Sequence, residues 1–292
     1  MRIVTSIGEM RDTVRERRGA GQLVGLVPTM GFFHAGHVSL MQAAREDCAF
    51  VVVSLFVNPT QFGPGEDLAE YPRDLDRDVE MAEAAGVDCI FHPEAREMYP
   101  ERFLAYVEVK EAGEVLCGAS RHGHFRGVAT VVAKLFNIIP AHRAYFGLKD
   151  AQQVWVIRRM VRDLDFDVEV VACPTVREED GLAMSSRNIY LKPEERKAAT
   201  VLYRSLRLAG DLVAGGERHA ARVLEEMNAL IAGEPLVRTE YVEAVDWETL
   251  GPAGMLRGEV LIALAARVGK ARLIDNILLD VISETTTEML EY

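Results

Sequence analysis

The run Val51–Val57 (VVVSLFV) is almost wholly apolar. A strand with one face in water alternates apolar and polar side chains, so an unbroken run predicts a strand covered on both faces, as in the centre of a parallel sheet. The neighbouring segments agree with that setting. Leu23–Pro28 reads as a second buried strand, followed by a glycine-containing turn and a helix from Gly36 to Cys48. A helix over Pro72–Ala85 stops at Gly86, a residue suited to a helix end, and Val87–Phe91 resumes a strand. Arg126–Ile139 reads as helix and Ala144–Phe146 as strand. Ala151–Arg162 carries Val154, Ile157 and Val161 at helical spacing, and Val168–Cys173 is β-rich. Strands alternating with helices predict βαβ units around a parallel sheet, an α/β domain whose ligands lie beyond the carboxyl ends of the strands.

After Val176 the pattern changes. Pro193–Gly215 and Glu217–Gly233 read as two helices, followed by β-rich segments at Arg238–Val245, Glu259–Val268 and Ala271–Leu279. Helices followed by strands predict a smaller α+β domain. The expected domains are therefore 1–176 and 177–292.

The chain has a formal net charge of −12. A surface so acidic repels phosphate backbones and argues against broad contact with nucleic acid. Cys48, Cys89, Cys117 and Cys173 form no Cys-x-x-Cys pair and read as buried, reduced thiols. The N-terminal segment carries Arg2, Glu9, Arg11, Asp12 and Arg15 where a signal peptide needs an apolar run, and no apolar stretch is long enough to span a bilayer. The expected location is the cytoplasm, with no membrane partner.

Residues just after the strands are the candidates for chemistry. Pro28–His37 (PTMGFFHAGH) follows the first predicted strand. Gly31 can take a sharp turn, and Gly36 opens a helix whose free N–H groups favour an anion. His34 and His37 face the same way near a helix start, where two imidazoles can hydrogen-bond a polyphosphate and, if protonated, neutralise it. A His-x-x-His pair is also half of a metal site, but no third ligand lies at metal-like spacing nearby, so the context favours phosphate. Asn58–Gly63 (NPTQFG) places two amides after the run Val51–Val57; alone it is as compatible with a polar turn. In Phe146–Gln153 (FGLKDAQQ), Lys149 sits at a helix start, where a cation opposes the helix dipole unless an anion offsets it. Asp150 there can simply cap the helix. Met184–Asn188 (MSSRN) offers two hydroxyls and an arginine that can close over phosphates, although surface loops of this composition are common. Arg121–Gly127 (RHGHFRG) collects the possible cations Arg121, His122, His124 and Arg126 and reads either as a basic lid or as a structural segment in which Gly127 permits tight helix packing.

Taken together, these segments resemble the pantothenate synthetase (pantoate–β-alanine ligase) family along nearly the whole chain. The carriers are Pro28–His37, Asn58–Phe62 with the following Asp67–Arg73, Gly123–Val132, Phe146–Gln153 and Met184–Asn188, five motifs in order. The resemblance implies a Rossmann-like parallel-sheet domain binding ATP and pantoate, a smaller C-terminal α+β lid domain, and condensation of pantoate with β-alanine through a pantoyl-adenylate. It implies that His34, His37 and Lys149 hold and polarise the phosphates. The rest of the nucleotide site would be lined by Met30, Gly31, Phe32, Phe33, Ala35, Gly36, Gly147, Leu148, Asp150, Val176, Met184, Ser185, Ser186 and Arg187. Gln61 and Gln153 would grip pantoate. Magnesium as cofactor and a homodimer also follow from the resemblance, with Asp78 the nearest match to the family's acidic metal position. The chain departs from the pattern at Leu148, usually Glu, at Thr60, often Met, at His122, often Pro, and at Phe32-Phe33, usually Ala-Leu. The rival readings are a nucleotidyltransferase acting on a phosphate ester, which would share the histidine segment but not the paired amides, a class I aminoacyl-tRNA synthetase, disfavoured by the acidic charge, and a non-catalytic nucleotide-sensing module. No Ser–His or Cys–His signature for a covalent nucleophile stands out.

Overall fold

The computed structural model of the chain describes residues 1–281 and 288–289; 282–287 and 290–292, within the expected C-terminal domain, lie outside them. The chain divides into two compact units, Met1–Cys173 and Pro174–Tyr292.

The first unit runs β1 (Arg2–Val4), α1 (Ile7–Gly19), β2 (Val24–Thr29), α2 (Ala35–Asp47), β3 (Phe50–Leu55), α3 (Leu75–Ala84), β4 (Cys89–Phe91), α4 (Ala95–Met98), α5 (Leu116–Ser120), α6 (His124–Ile138), β5 (Arg143–Gly147), α7 (Ala151–Asp163) and β6 (Glu169–Cys173). Its six strands form one sheet in the order β1-β4-β3-β2-β5-β6, parallel at every neighbouring pair. This is the parallel sheet that the apolar runs predict: every residue of β3 is buried. Alternate residues of β3, Val51 and Val53, join Val27 of β2 and Ile90 of β4 against Leu40, Met41 and Ala44 of α2 and Ala82 of α3, as the two-residue period of a strand requires. From β2 the chain winds outward to β3 and β4, then crosses to β5 on the other side of β2. Winding thus reverses between β2 and β5, and their carboxyl ends open the crevice where open α/β sheets bind ligands.

Four elements carry no clear sequence signal. β1 has three residues and α4 and α5 have four and five, too few for a period to show. In α1 only Met10, Thr13 and Val14 are buried, so its apolar stripe is narrow.

The second unit contains α8 (Pro193–Ala199), α9 (Val201–Ala214), α10 (Ala220–Ala232), β7 (Val237–Asp246), β8 (Gly258–Val268), β9 (Ala271–Val281) and β10 (Glu288–Met289). Its strands form a sheet in the order β10-β9-β8-β7, antiparallel throughout. Leu202, Leu206, Ala209 and Val213 of α9 and Val223, Met227 and Ile231 of α10 pack on Val260, Ile262, Leu264 and Ala266 of β8. The helix predicted over Pro193–Gly215 is in fact two. At Thr200 the N–H and the side-chain hydroxyl both bond the carbonyl of Lys197, so a tight three-residue turn replaces the α-helical register. All four cysteines are buried and none forms a disulfide. Among the described residues no helix is long and apolar enough to cross a membrane.

Candidate active site

The segment leaving β2 is shaped by three backbone constraints. Thr29 donates its hydroxyl to the Ser54 carbonyl at 2.7 Å and accepts the Gly31 N–H at 3.3 Å, which ties the strand end to β3. Gly31 has φ +84°, and a Cβ there would stand 3.0 Å from Asp78 Oδ2 and 3.1 Å from Leu55 Cδ2, so both conformation and space select glycine. Phe32 also has a positive φ of 53°, unusual for a bulky residue. It is held there by Asp78, whose Oδ2 and Oδ1 accept the N–H groups of Phe32 and Phe33 at 2.7 and 2.6 Å. Burial pushes the Asp78 pKa up, and the two backbone bonds oppose that rise. Each oxygen accepts one backbone N–H, so Asp78 acts as a clasp on this turn. Phe33 is fully buried in the sheet–helix core, so its ring is a core residue and not a nucleotide contact.

His34 and His37 form a reciprocal cap at the start of α2. The His34 Nδ1 accepts the Gly36 N–H at 3.2 Å, and the His37 Nδ1 accepts the His34 N–H at 3.3 Å. In a neutral imidazole whose Nδ1 is an acceptor, the proton is on Nε2, so the backbone sets both tautomers and leaves two Nε2–H donors. Their ring centroids are 4.1 Å apart. Burial, followed by the Lys149 charge, holds His34 at a pKa of about 4. Burial, then His34 and Lys149, hold His37 well below the ordinary value. Neither ring is a cation near neutrality. The charge that sequence reasoning allowed them belongs to Lys149, which lies in the turn after β5 with its ammonium 3.5 Å from the Asp150 carboxylate. The α2 terminus also differs from expectation: the Gly36 and His37 N–H groups are engaged by His34, so the helix presents imidazole donors in place of those two free amides.

Gln61 ends the turn after β3. Its amide donates to Met30 Sδ at 3.2 Å and accepts from Asn58 Nδ2 at 3.1 Å, so the second motif is brought against the first. Gln153 lies in the first turn of α7, after β5. Since β3 and β5 are the two neighbours of β2, the two amides stand on opposite sides of the histidine segment. Gln152 plays a structural part, since its side chain bonds Ala112 O, Val115 O and the Cys117 N–H at 2.9–3.0 Å.

Within Arg121–Gly127, residues Arg121, His124 and Gly127 have structural partners. Arg121 makes paired bonds of 2.8 and 2.6 Å to Glu66. Burial raises the Glu66 pKa, but Arg121 outweighs it and holds the carboxyl at about 2. His124 is lowered to about 4 by burial and then by Arg121; its Nδ1 bonds the Gln61 carbonyl at 2.8 Å. A Cβ on Gly127 would stand 2.3 Å from the Thr60 carbonyl oxygen, so α6 approaches the Asn58–Gln61 turn at a distance only glycine allows. The Arg121 charge is spent on a latch and His124 is neutral. Neither the Glu66 nor the Asp78 partnership has a signal in local spacing; each joins segments 45 or more residues apart.

In the second unit, Val176 accepts the Met184 N–H at 3.0 Å and Glu178 pairs with Leu182, forming a hairpin that turns at Gly181, φ +89°. Ser185 caps a short turn by accepting the Arg187 N–H at 3.2 Å. Arg177 anchors the hairpin with bonds of 2.6 and 3.0 Å to buried Asp275 and lies 4.2 Å over the Tyr203 ring.

Residues 2–278 match the family model described as pantoate-beta-alanine ligase. The chain belongs to the pantoate–β-alanine ligase family. It is 57% identical over 281 residues to pantothenate synthetase of Heliobacterium modesticaldum, covering 96% of this chain and 100% of that protein. The identity with pantothenate synthetase of Thermotoga petrophila is 56% over 279 residues, again 96% and 100%. Among solved structures, pantothenate synthetase from Thermus thermophilus superposes with a TM-score of 0.91 at 48% identity, covering 97% of this chain and 100% of that one. Pantoate-beta-alanine ligase from Francisella tularensis, complexed with beta-gamma ATP and beta-alanine, gives 0.78 at 33% identity, covering 95% and 97%.

The neutral imidazoles of this family member have a measurable consequence. The folded pKa of His34, about 4, lies below the ordinary 6.5, so as pH falls through 6.5 the unfolded chain takes up a proton that the folded chain refuses. The stability contribution is complete above 6.5 and is lost on the way to about 4. His34→Gln keeps an acceptor for the Gly36 N–H and removes the titration, so thermal melts between pH 6.5 and 4.5 should fall more steeply for the wild type. Equal slopes would refute the neutral ring.

Proposed function

We propose that this chain joins pantoate to β-alanine through a pantoyl-adenylate, consuming ATP and releasing AMP and pyrophosphate. The observation that carries this reading is the convergence of two neutral Nε2–H donors, His34 and His37, with the Lys149 charge at the carboxyl edge of β2 and β5. Family membership and the nucleotide-bound relative point the same way.

A carboxylate resists amine attack because oxide is a poor leaving group, and esterification to AMP supplies a good one. A pantoate oxygen attacks the α-phosphorus in line. Charge accumulates on the departing pyrophosphate, where fixed N–H donors and a lysine stabilise it without having to reorganise. The amine of β-alanine then attacks the acyl carbon and AMP leaves. Gln61 and Gln153 hold pantoate from either side. Magnesium, the cofactor that the family resemblance implies, would be held chiefly by the ATP phosphates and would offset their charge. The route needs no protein nucleophile, in keeping with Cys89 and Cys173, whose thiols burial pushes up to about 11. The reading includes a homodimer, as the family resemblance implies, and a cytoplasmic location, as the charged N-terminal segment suggests.

Isotope transfer tests the reaction class. One carboxylate oxygen of pantoate becomes the bridge of the adenylate, and aminolysis breaks the acyl C–O bond, so that oxygen leaves with AMP. Pantoate labelled with heavy oxygen should therefore pass one label per turnover into AMP, read by mass spectrometry. An acyl-phosphate route would give ADP and labelled inorganic phosphate, and either product would overturn the proposal.

A further inference from the structure

The first turn of α3 holds an arginine whose guanidinium neither the clasp nor the capping of that helix uses. Arg77 is exposed and lies among Asp74, Asp76 and Asp78. Among the described residues no carboxylate forms an ion pair with its guanidinium, although its backbone N–H bonds Asp74 at 3.2 Å. The side chain turns instead onto the Phe32 ring, 5.0 Å from the centroid. Phe32 is fixed in a left-handed conformation by the Asp78 clasp on the adjacent N–H groups, so the aromatic seat is positioned by the same helix turn that carries the arginine. Stacking of this kind orients a guanidinium while leaving its N–H edges open to oxygen. The seat lies two residues before His34 in the chain, and the Arg77 charge is felt at His34, after burial, Lys149 and Asp150. A cation in the first turn of a helix opposes the dipole, and an anion bound nearby removes that conflict.

We propose that Arg77, seated on Phe32, is a further cation of the nucleotide site and binds the terminal phosphates of ATP. This rests on the reading of His34, His37 and Lys149 as the phosphate site. The terminal assignment follows from that reading: the pyrophosphate leaves over His34 and His37, and exposed Arg77, seated on Phe32 two residues before His34, meets its outer end. An arginine there meets the charge of the leaving pyrophosphate in a site whose imidazoles carry none.

The test is calorimetric titration of the full chain with ATP and with AMP. Arg77→Gln keeps a planar group that can lie on Phe32 and removes the charge. ATP should bind about tenfold more weakly, the loss expected for one charge-assisted contact in a partly solvated site, while AMP affinity stays unchanged. Raising the salt concentration should weaken ATP binding less in Arg77→Gln than in the wild type. Arg77→Lys, which keeps the charge but not the flat stack, should fall between the two. Equal ATP affinity in wild type and Arg77→Gln, an equal loss for AMP and ATP, or Arg77→Lys no better than Arg77→Gln would each overturn the assignment while leaving the ligase reading intact. A wild-type chain that binds no ATP and forms no AMP would instead remove the phosphate site on which it rests.

Discussion

Lys149→Ala should slow formation of the acyl-adenylate by roughly 10²-fold or more in a single turnover, the cost typical of removing one group that stabilises transition-state charge. The expectation rests on where charge resides in the site. His34 and His37 are both held neutral, the first at about 4 and the second well below its ordinary value. They donate through Nε2–H but bring no formal charge, and Lys149 is the cation that acts on both. Pyrophosphate carries more negative charge as it departs than as part of ATP, so an ammonium at this place binds the transition state better than the ground state. ATP affinity should therefore change much less than the rate. His37→Ala should behave similarly, since it removes one of the two Nε2–H donors and frees the His34 N–H that its Nδ1 accepts. Quenched-flow measurement of AMP transfer, alongside nucleotide titration, separates the two quantities. Normal adenylation combined with poor ATP binding would reduce both residues to binding groups.

Asp275→Ala should destabilise the second unit by about 3 kcal/mol, the range for removing one partner of a buried ion pair. Asp275 is 2% exposed and accepts two bonds from Arg177, at 2.6 and 3.0 Å. The arginine is itself enclosed, since it also bonds the Gly181 carbonyl at 3.1 Å and covers Tyr203. Without the carboxylate its guanidinium remains half-buried and unneutralised, and the hairpin Val176–Met184 loses its anchor. Urea denaturation should show the loss directly. Replacing both partners by apolar residues of similar size, Arg177→Met with Asp275→Leu, should restore most of it, because the penalty comes from the orphaned charge and not from the missing attraction. A single-variant loss below about 1 kcal/mol would place the pair in the class of weak surface bridges.

The architecture of the first unit was legible because burial leaves a periodic trace in one dimension. An apolar run such as Val51–Val57 has no face to give to water, and Val154, Ile157 and Val161 repeat with the period of a helix; both properties survive without knowledge of any distant residue. The positions of the chemical segments followed, because a glycine turn between strand and helix lies at the sheet's carboxyl edge in any parallel α/β arrangement. What those segments do individually was decided elsewhere. Whether His34 and His37 are cations depends on burial and on Lys149, more than a hundred residues later in the chain and brought near by the β2–β5 adjacency. Asp78, in sequence the nearest match to the family's acidic metal position, is also a clasp, because its two oxygens meet N–H groups 45 and 46 residues away. Arg121, one of the four possible cations of its segment, is neutralised by Glu66, 55 residues distant. The helix predicted from Pro193 to Gly215 broke where the Thr200 hydroxyl competed for a backbone carbonyl, an event too local for periodicity to register. Periodicity records which residues leave water. Charge state and hydrogen-bond partnership depend on which distant segments the sheet order makes neighbours, and that order is settled only when the chain folds.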